Sequence, residues 1–231
     1  MKLIGLLGGM SWESTALYYR LMNEEVRRLR GGLHSARLLL HSVDFHDIEQ
    51  RQHKGDWEGT ADILATAARG LKAGGADFVV LATNTMHKVA DRIGAASGLD
   101  LLHIADPTGT ALKTDGVHRV ALLGTRFTME QDFYRARLEN DFGLDVLIPA
   151  PGDRADIHRI IYDELCRGIV ADRSAARFGE IIERLKSRGA EAAILGCTEI
   201  TMIVNDGNSA LPVYDTTALH ARAAVIRALA D

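Results

Sequence analysis

The sequence has little of what marks several common classes of protein. Two cysteines among 231 residues are too few for a disulfide framework, and a net charge of −4 supplies no basic face for nucleic acid. The apolar stretch at residues 3–10 is too short to span a membrane, and no signal-peptidase site follows it. We therefore expect a soluble protein of the reducing cytoplasm that binds neither nucleic acid nor membranes.

The sequence motifs of common cofactors and metals are missing as well. Gly5, Gly8 and Gly9 are spaced G-x-x-G-G, unlike the dinucleotide motif G-x-G-x-x-G, and Asp44 comes too late to bind a ribose. The nine histidines include no H-E-x-x-H motif and no Cys/His cluster. No G-x-S-x-G motif indicates a serine hydrolase, and no lysine is marked for pyridoxal chemistry. We expect neither a cofactor nor a bound metal.

Short apolar segments alternate with amphipathic ones along the chain. Near-continuous apolar segments such as FVVLA and VALLG indicate parallel strands that are covered on both faces. Strands are predicted at 2–7, 36–43, 77–82, 101–104, 118–123, 144–148, 191–195 and 211–214, and helices at 13–29, 57–73, 129–141, 154–167, 174–187 and 216–229. The pattern predicts an α/β fold with two doubly wound parallel sheets, in which ligands bind beyond the carboxyl ends of the strands.

Three segments of the sequence occur twice, in the same order. The clearest pair is LKAGGADFVVLATNT at residues 71–85 and LKSRGAEAAILGCTE at residues 185–199, at an offset of 114. The other pairs are IGLLGGMSWES (4–14) with VALLGTRFTME (120–130), and IADPT (104–108) with VYDTT (213–217). Repeats of this kind indicate a duplicated lobe.

The duplication predicts two pseudo-symmetric lobes. Residues 1–103 form the first lobe, with the C-terminal segment 209–231 returning to it, and residues 104–208 form the second. The offset of 114 places Thr83 of the first copy opposite Cys197 of the second. If the lobes face each other, a hydroxyl and a thiol point at one ligand from opposite sides.

Cys197 is the leading candidate for a reactive side chain. It follows a predicted strand at a point where a helix could begin, so free backbone N–H groups and the positive end of the helix dipole should lower its pKa from about 8.5. The alternative is a buried structural cysteine, but the equivalent position in the other copy is also polar and follows a strand. Cys166 has no such context in the helix-like segment YDELCRG, and we interpret it as structural.

Thr83, Asn84 and Thr85 form a polar group directly after an apolar strand. Hydroxyl, amide and backbone N–H groups at such a turn suit a carboxylate or a phosphate. The same groups could instead cap a helix, which is worth about 1 kcal/mol and needs no ligand. Local sequence leaves both interpretations open.

The segments LLGGMSWEST, LATNTMH, LLGTRFTME and LGCTEI together resemble the aspartate/glutamate racemase family, and the similarity runs essentially from end to end. The resemblance implies a two-lobed, cofactor-independent enzyme, generally a homodimer, with its active site in the cleft between the lobes. It also implies one cysteine from each lobe on opposite faces of the substrate's α-carbon, one removing the α-proton and the other delivering a proton. Cys197 matches one of these cysteines, whereas Thr83 stands where the commonest pattern has the other.

This difference implies an asymmetric racemase. A threonine hydroxyl has no pKa in the accessible range, so it cannot take a proton from carbon, but it can donate one or position a water. The resemblance therefore implies that Cys197 is the base for the α-proton of L-substrates and that Thr83 serves the opposite face. Both are assigned as catalytic.

The resemblance also suggests which residues bind the substrate. The candidates for its α-carboxylate and amine are Asn84, Thr85, Thr125 and Thr198, each in one of the predicted loops. Met10 should contact the substrate through its backbone. Arg51 and Gln52 are the candidates for the distal carboxylate, in the segment EQRQHKG that we interpret as a polar loop.

Two other kinds of function stay open at this stage. One is a one-cysteine decarboxylase or cis–trans isomerase of a dicarboxylic acid, which a single catalytic cysteine would fit. The other is a non-catalytic sensor that binds acidic amino acids. The sequence does not determine the preferred amino acid, because the segment that carries lysine in several aspartate-preferring relatives reads YDELCRG here.

Overall fold

The structure is a computed structural model that describes residues 1–230, and the chain divides into two compact units. Unit 1 comprises residues 1–104 and the chain from His220 onward, and unit 2 comprises residues 105–219. The first boundary thus lies one residue from its predicted place. The predicted return to the first unit at residue 209 is wrong, because Val213–Asp215 pairs with the sheet of unit 2.

Unit 1 is built on a four-stranded parallel sheet. Its elements are β1 (Ile4–Gly8), α1 (Trp12–Arg30), β2 (Leu38–Ser42), α2 (Phe45–Lys54), α3 (Trp57–Ala73), β3 (Phe78–Leu81), α4 (Ala90–Ser97) and β4 (Asp100–Leu102). A 3-10 helix, Thr85–Val89, follows β3. The strand order is β2-β1-β3-β4, and all neighbouring strands are parallel.

Unit 2 repeats this architecture. Its elements are α5 (Ala105–Thr114), β5 (Arg119–Gly124), α6 (Arg126–Glu130), α7 (Asp132–Phe142), β6 (Asp145–Leu147), α8 (Pro151–Asp163), α9 (Asp172–Ser187), β7 (Ala192–Gly196), β8 (Val213–Asp215) and the start of α10 (Thr216–Leu229). Two 3-10 helices, Leu165–Arg167 and Thr198–Met202, follow α8 and β7. The strand order β6-β5-β7-β8 is equivalent to that of the first sheet, as a duplicated lobe requires.

The central strands β1, β3, β5 and β7 are buried on both faces, which is why their sequences are apolar without alternation. In unit 1, Leu6 and Val80 pack with α1 and with the part of α10 that belongs to this unit. Leu7 and Val79 pack on the opposite face with α3 and α4. The predicted α/β fold with two parallel sheets is confirmed.

Several helices were not predicted from the sequence, among them α2, which contains the candidate residues Arg51 and Gln52. Only Ile48 and Gln52 of its ten residues are buried, so its apolar face is too narrow to show a helical period. The helix is instead defined by its ends, since Asp44 caps its N-terminus and Gly55 adopts φ +73° after its last residue. Among residues 1–230, no helix combines the length and apolar character needed to cross a membrane.

Candidate active site

The loop after β1 is held by its own hydrogen bonds. The backbone N–H of Gly9 donates to Thr15 Oγ1 at 2.8 Å, and the Thr15 hydroxyl donates to the carbonyl of Ser11 at 2.8 Å. Glycine is favoured at position 8, because a Cβ there would lie 2.5 Å from the Thr15 side chain and would displace it. The side chain of Met10 is buried in the core, and contact with a substrate through its backbone stays a prediction.

The loop after β3 presents the predicted polar group. Thr83 is partly exposed, while Asn84 and Thr85 are buried at the start of the 3-10 helix Thr85–Val89. The Thr83 N–H donates to the carbonyl of Leu81 at 2.9 Å, which turns the chain sharply at the end of the strand. The turn leads directly into this short 3-10 helix.

His87 fixes the backbone of this turn. Its Nε2 accepts a hydrogen bond from the backbone N–H of Ile104 at 3.1 Å, and its Nδ1 lies 2.8 Å from the carbonyl of Thr83. A carbonyl only accepts and Nε2 is already an acceptor, so the ring is neutral with its proton on Nδ1. His87 thus ties the Thr83 carbonyl to the chain that follows β4.

A second buried histidine lies beside it. His220 Nε2 lies 2.9 Å from the carbonyl of Leu102, and its Nδ1 lies 2.8 Å from the Tyr18 hydroxyl. The carbonyl requires a proton on Nε2. Burial lowers the pKa of His220 to about 3, so the ring is neutral and the Tyr18 hydroxyl donates to Nδ1. The ring of His103 meets that of His87 edge-on, with centroids 4.5 Å apart, and completes the cluster.

In unit 2, Cys197 follows β7 and is 8% exposed. Its thiol donates to the Glu199 carboxylate, with Sγ 2.9 Å from Oε2. Burial raises the pKa of Cys197 well above its ordinary value, and the negative charge of Glu199 raises it further. The predicted lowering of this pKa is therefore wrong. Only the 3-10 helix Thr198–Met202 follows the cysteine, and its weak dipole does not offset burial beside a carboxylate.

Cys166 lies in the 3-10 helix Leu165–Arg167, partly buried against the core that contains Cys197. Both cysteines are unbridged thiols. No polar turn at the end of a strand surrounds Cys166, and we retain its interpretation as structural.

The two threonines predicted in unit 2 are both buried near strand ends. Thr125 caps the N-terminus of α6, where its hydroxyl accepts from the N–H of Thr128. The Thr198 hydroxyl lies 3.2 Å from that of Thr217 at the start of α10. Thr125 is therefore a helix cap, and its role in binding substrate stays a prediction.

Arg51 and Gln52 lie in helix α2, so their placement in a loop is wrong. The Arg51 guanidinium donates to the carboxylate of Asp56 at 2.5 Å. Gln52 is 3% exposed, and its amide contacts the sulfur of Met86 in the turn after β3. Gln52 therefore contacts the turn that follows β3 through Met86. Arg51 is already paired with the carboxylate of Asp56.

Three residues that make structural contacts at or near these turns were not predicted from the sequence. Glu199 could have been found, since it lies two residues after Cys197 in the motif LGCTE. His87 stands within the motif LATNTMH, but only the tertiary contact with Ile104 reveals its role. His220 carries no local signal, because its partners are more than 100 residues away in sequence.

Known proteins resemble this chain over its whole length. A model of the Asp/Glu/hydantoin racemase family matches residues 7–224. A provisionally assigned Asp/Glu racemase from Yersinia pestis is 53% identical, with 100% of both chains covered and a TM-score of 0.93. An aspartate racemase homologue from Pyrococcus horikoshii is 33% identical over 99% of both chains, with a TM-score of 0.83. The broad specificity amino-acid racemase RacX of Bacillus subtilis is 23% identical over 99% of both chains.

Proposed function

Because the chain belongs to the Asp/Glu/hydantoin racemase family, we propose that it interconverts L- and D-aspartate or glutamate without a cofactor. The observation that carries this proposal is the buried Cys197 thiol at the end of β7, in contact with a carboxylate. The equivalent position after β3 holds the hydroxyl of Thr83. A thiolate that removes the α-proton on one face and a hydroxyl that donates a proton on the other face are the groups that an asymmetric racemisation needs.

In this proposal Cys197, as the thiolate, removes the α-proton of the L-enantiomer. The carbanion that forms beside the α-carboxylate needs hydrogen-bond donors already in position. Asn84, Thr85, Thr125 and Thr198 are proposed to supply them, together with the backbone of Met10. Thr83 delivers a proton to the other face of the α-carbon, directly or through a water that it positions.

The two faces of the α-carbon are proposed to differ in how fast they exchange a proton with solvent. A thiol can be tuned into a base, whereas a threonine hydroxyl has no pKa in the accessible range. The α-proton of L-substrates should therefore exchange with solvent much faster than that of D-substrates. The kcat/KM values for racemisation itself are equal in the two directions, because the equilibrium constant between enantiomers is 1. Loss of the α-proton signal of L- and D-glutamate and of L- and D-aspartate in D₂O, followed by proton nuclear magnetic resonance, tests this. Equal exchange rates from both enantiomers would contradict the asymmetric mechanism.

Thr83→Cys should raise the rates that start from D-enantiomers. The variant places an ionisable thiol on the face that has only a hydroxyl, and we expect α-proton exchange of D-substrates in D₂O to speed up about tenfold or more. Initial exchange rates from both enantiomers measure the change. Thr83→Ala is the matched control, because it removes the hydroxyl without adding a base and should leave α-proton exchange of L-substrates by Cys197 measurable. An unchanged D-rate in Thr83→Cys, with the new thiol shown to ionise, would remove Thr83 from the catalytic face.

Arg51 and Gln52 are proposed to recognise the distal carboxylate of the substrate. A charge-assisted hydrogen bond is worth about 1.5–3 kcal/mol, so Arg51→Ala and Gln52→Ala should each reduce kcat/KM for acidic substrates by about 10-fold or more. The kcat/KM for neutral amino acids should fall much less. Neutral amino acids are included in the test because the Bacillus relative is named a broad specificity racemase. Gln50→Ala is the control, since Gln50 is exposed on the same helix. Equal losses for acidic and neutral substrates would indicate a folding effect.

A further inference from the structure

In the proposed mechanism the Thr83 hydroxyl works only if it is correctly oriented. Threonine does not ionise in the accessible pH range, so its contribution depends on where its oxygen points and not on a charge. The branched Cβ restricts rotation about χ1, and the backbone of residue 83 therefore largely sets the direction of the hydroxyl. A misplacement of about 1 Å can lower a rate about 100-fold. The groups that hold this backbone thus bear on the reaction.

Hydrogen bonds hold the backbone of Thr83 on both sides. Its N–H donates to the carbonyl of Leu81 at 2.9 Å, within the end of β3. Its carbonyl lies 2.8 Å from Nδ1 of His87, which donates to it. The His87 ring is 3% exposed, and its Nε2 accepts from the N–H of Ile104 at 3.1 Å. His87 therefore joins the turn after β3 to the chain that follows the neighbouring strand β4.

Packing keeps the His87 ring in its plane. The ring of His103 meets it edge-on, with centroids 4.5 Å apart, and the ring of His220 lies 5.8 Å away at an interplanar angle of 68°. Since Nδ1 and Nε2 belong to one rigid ring, the hydrogen bond from Ile104 also fixes the direction in which Nδ1 donates. The position of the Thr83 carbonyl therefore depends on this buried ring.

The second copy of the repeat holds its turn in a different way. At the offset of 114, Thr201 stands in the place of His87. The carbonyl of Cys197, equivalent to that of Thr83, accepts from the backbone N–H of Ile200 at 3.2 Å. The histidine anchor thus accompanies the hydroxyl and not the thiol.

We propose that His87 is a positioning residue that orients the Thr83 hydroxyl toward the face of the α-carbon where protonation gives the D-enantiomer, an inference that rests on the proposed racemase function. The carbanion takes a proton back from Cys197, which restores the L-enantiomer, or takes one from the Thr83 side, which gives the D-enantiomer. In the second case water replaces the proton that Thr83 gave up, and the Cys197 thiol releases to water the proton that it removed. His87 thereby sets the share of carbanions that become D-product.

His87→Gln and His87→Asn separate the two hydrogen bonds of the ring. The glutamine amide reaches the position of Nε2 and can accept from Ile104, but it leaves no donor at the position of Nδ1. The asparagine amide nitrogen takes the position of Nδ1 and can still donate to the Thr83 carbonyl.

The measured quantity is the number of D-molecules formed per α-proton lost, with L-glutamate and L-aspartate as substrates in D₂O. Chiral chromatography and proton nuclear magnetic resonance supply its two parts. We expect this ratio to fall about tenfold or more in His87→Gln and to stay close to the wild-type value in His87→Asn. Loss of the α-proton of L-substrates should change little in either variant, because Cys197 is untouched.

A Thr83→Ala background shows whether His87 acts through Thr83. His87→Gln should lower the ratio no further in that background, because no hydroxyl is left to orient. An equal fall with and without the hydroxyl would overturn the proposal, as would a wild-type ratio in His87→Gln. A parallel loss of α-proton exchange and D-product in both His87 variants would also overturn it, in favour of a structural role.

Nitrogen nuclear magnetic resonance of the ¹⁵N-labelled wild type tests the anchor without any substrate or variant fold. The proposal requires a neutral His87 ring with its proton on Nδ1, and the signals that disappear in His87→Asn assign it. A proton on Nε2, or on both nitrogens, at neutral pH would overturn the proposal, because such a ring cannot accept from Ile104. A wild type that does not exchange the α-proton of L-amino acids would refute the proposed function and this inference with it. An active wild type with an unchanged ratio in His87→Gln would refute the inference alone.

Discussion

Cys197→Ala should abolish exchange of the α-proton of L-glutamate and L-aspartate while the protein stays folded. The proposed mechanism has one base for this proton, and alanine has no group that can replace it. We expect the exchange rate to fall on the order of 10³-fold or more. Alanine is only one sulfur atom smaller at a strand end, so the circular dichroism spectrum and the thermal midpoint should change little.

Cys166→Ala is the matched control for this variant. Cys166 is the other unbridged thiol of the same unit, and it lies in the core that contains Cys197. Its loss should leave exchange close to the wild-type rate. A comparable collapse of activity in Cys166→Ala, or near wild-type exchange in Cys197→Ala, would show that the base is assigned to the wrong residue.

The protein should lose stability steeply as the pH falls from about 6.5 toward 3. Burial holds the pKa of His220 at about 3, whereas an unfolded histidine titrates near 6.5. Between these values the unfolded chain binds a proton that the folded chain excludes. The contribution of neutral His220 to the unfolding free energy is therefore fully present above about pH 6.5 and is lost as the pH falls toward 3. The maximum loss from this residue is roughly 5 kcal/mol of unfolding free energy.

Guanidinium unfolding curves at several pH values between about 4 and 7.5 measure this loss. His220→Gln keeps polar atoms near Tyr18 and the Leu102 carbonyl but cannot titrate, so its unfolding free energy should depend less on pH than that of the wild type. His34→Gln is the control, because His34 is exposed. An identical pH dependence in wild type and His220→Gln would mean that other groups cause the acid sensitivity.

The architecture is predictable from the sequence because burial on both faces leaves a strong signal. Segments such as 78–81 and 120–124 are apolar throughout, as is typical of strands in a sheet that is covered on both faces. The repeated order of segments likewise predicts the repeated order of strands. Because the match to the racemase family covers residues 7–224, the family resemblance seen in four short motifs is confirmed.

The electrostatics of the candidate site are not predictable in the same way. A cysteine at a strand end suggests a lowered pKa only if an α-helix follows, and here a short 3-10 helix and a carboxylate follow instead. Helix α2 is missed because one of its two buried side chains, Gln52, is polar, so apolar residues do not recur along the helix. The contacts of His87 and His220 join residues that are far apart in sequence, so they require the tertiary structure.

Proton exchange by the wild-type enzyme tests the central claim most directly. Purified protein is incubated with L-glutamate and with L-aspartate in D₂O, and loss of the α-proton signal is followed by proton nuclear magnetic resonance while the enantiomers are separated by chiral chromatography. The racemase proposal predicts loss of the α-proton of L-substrates together with formation of the D-enantiomer, and slower loss of the α-proton from D-substrates. Binding of either amino acid without any exchange would contradict the proposal and indicate a sensor, and turnover of malonate- or maleate-type acids in place of amino acids would indicate a decarboxylase or a cis–trans isomerase.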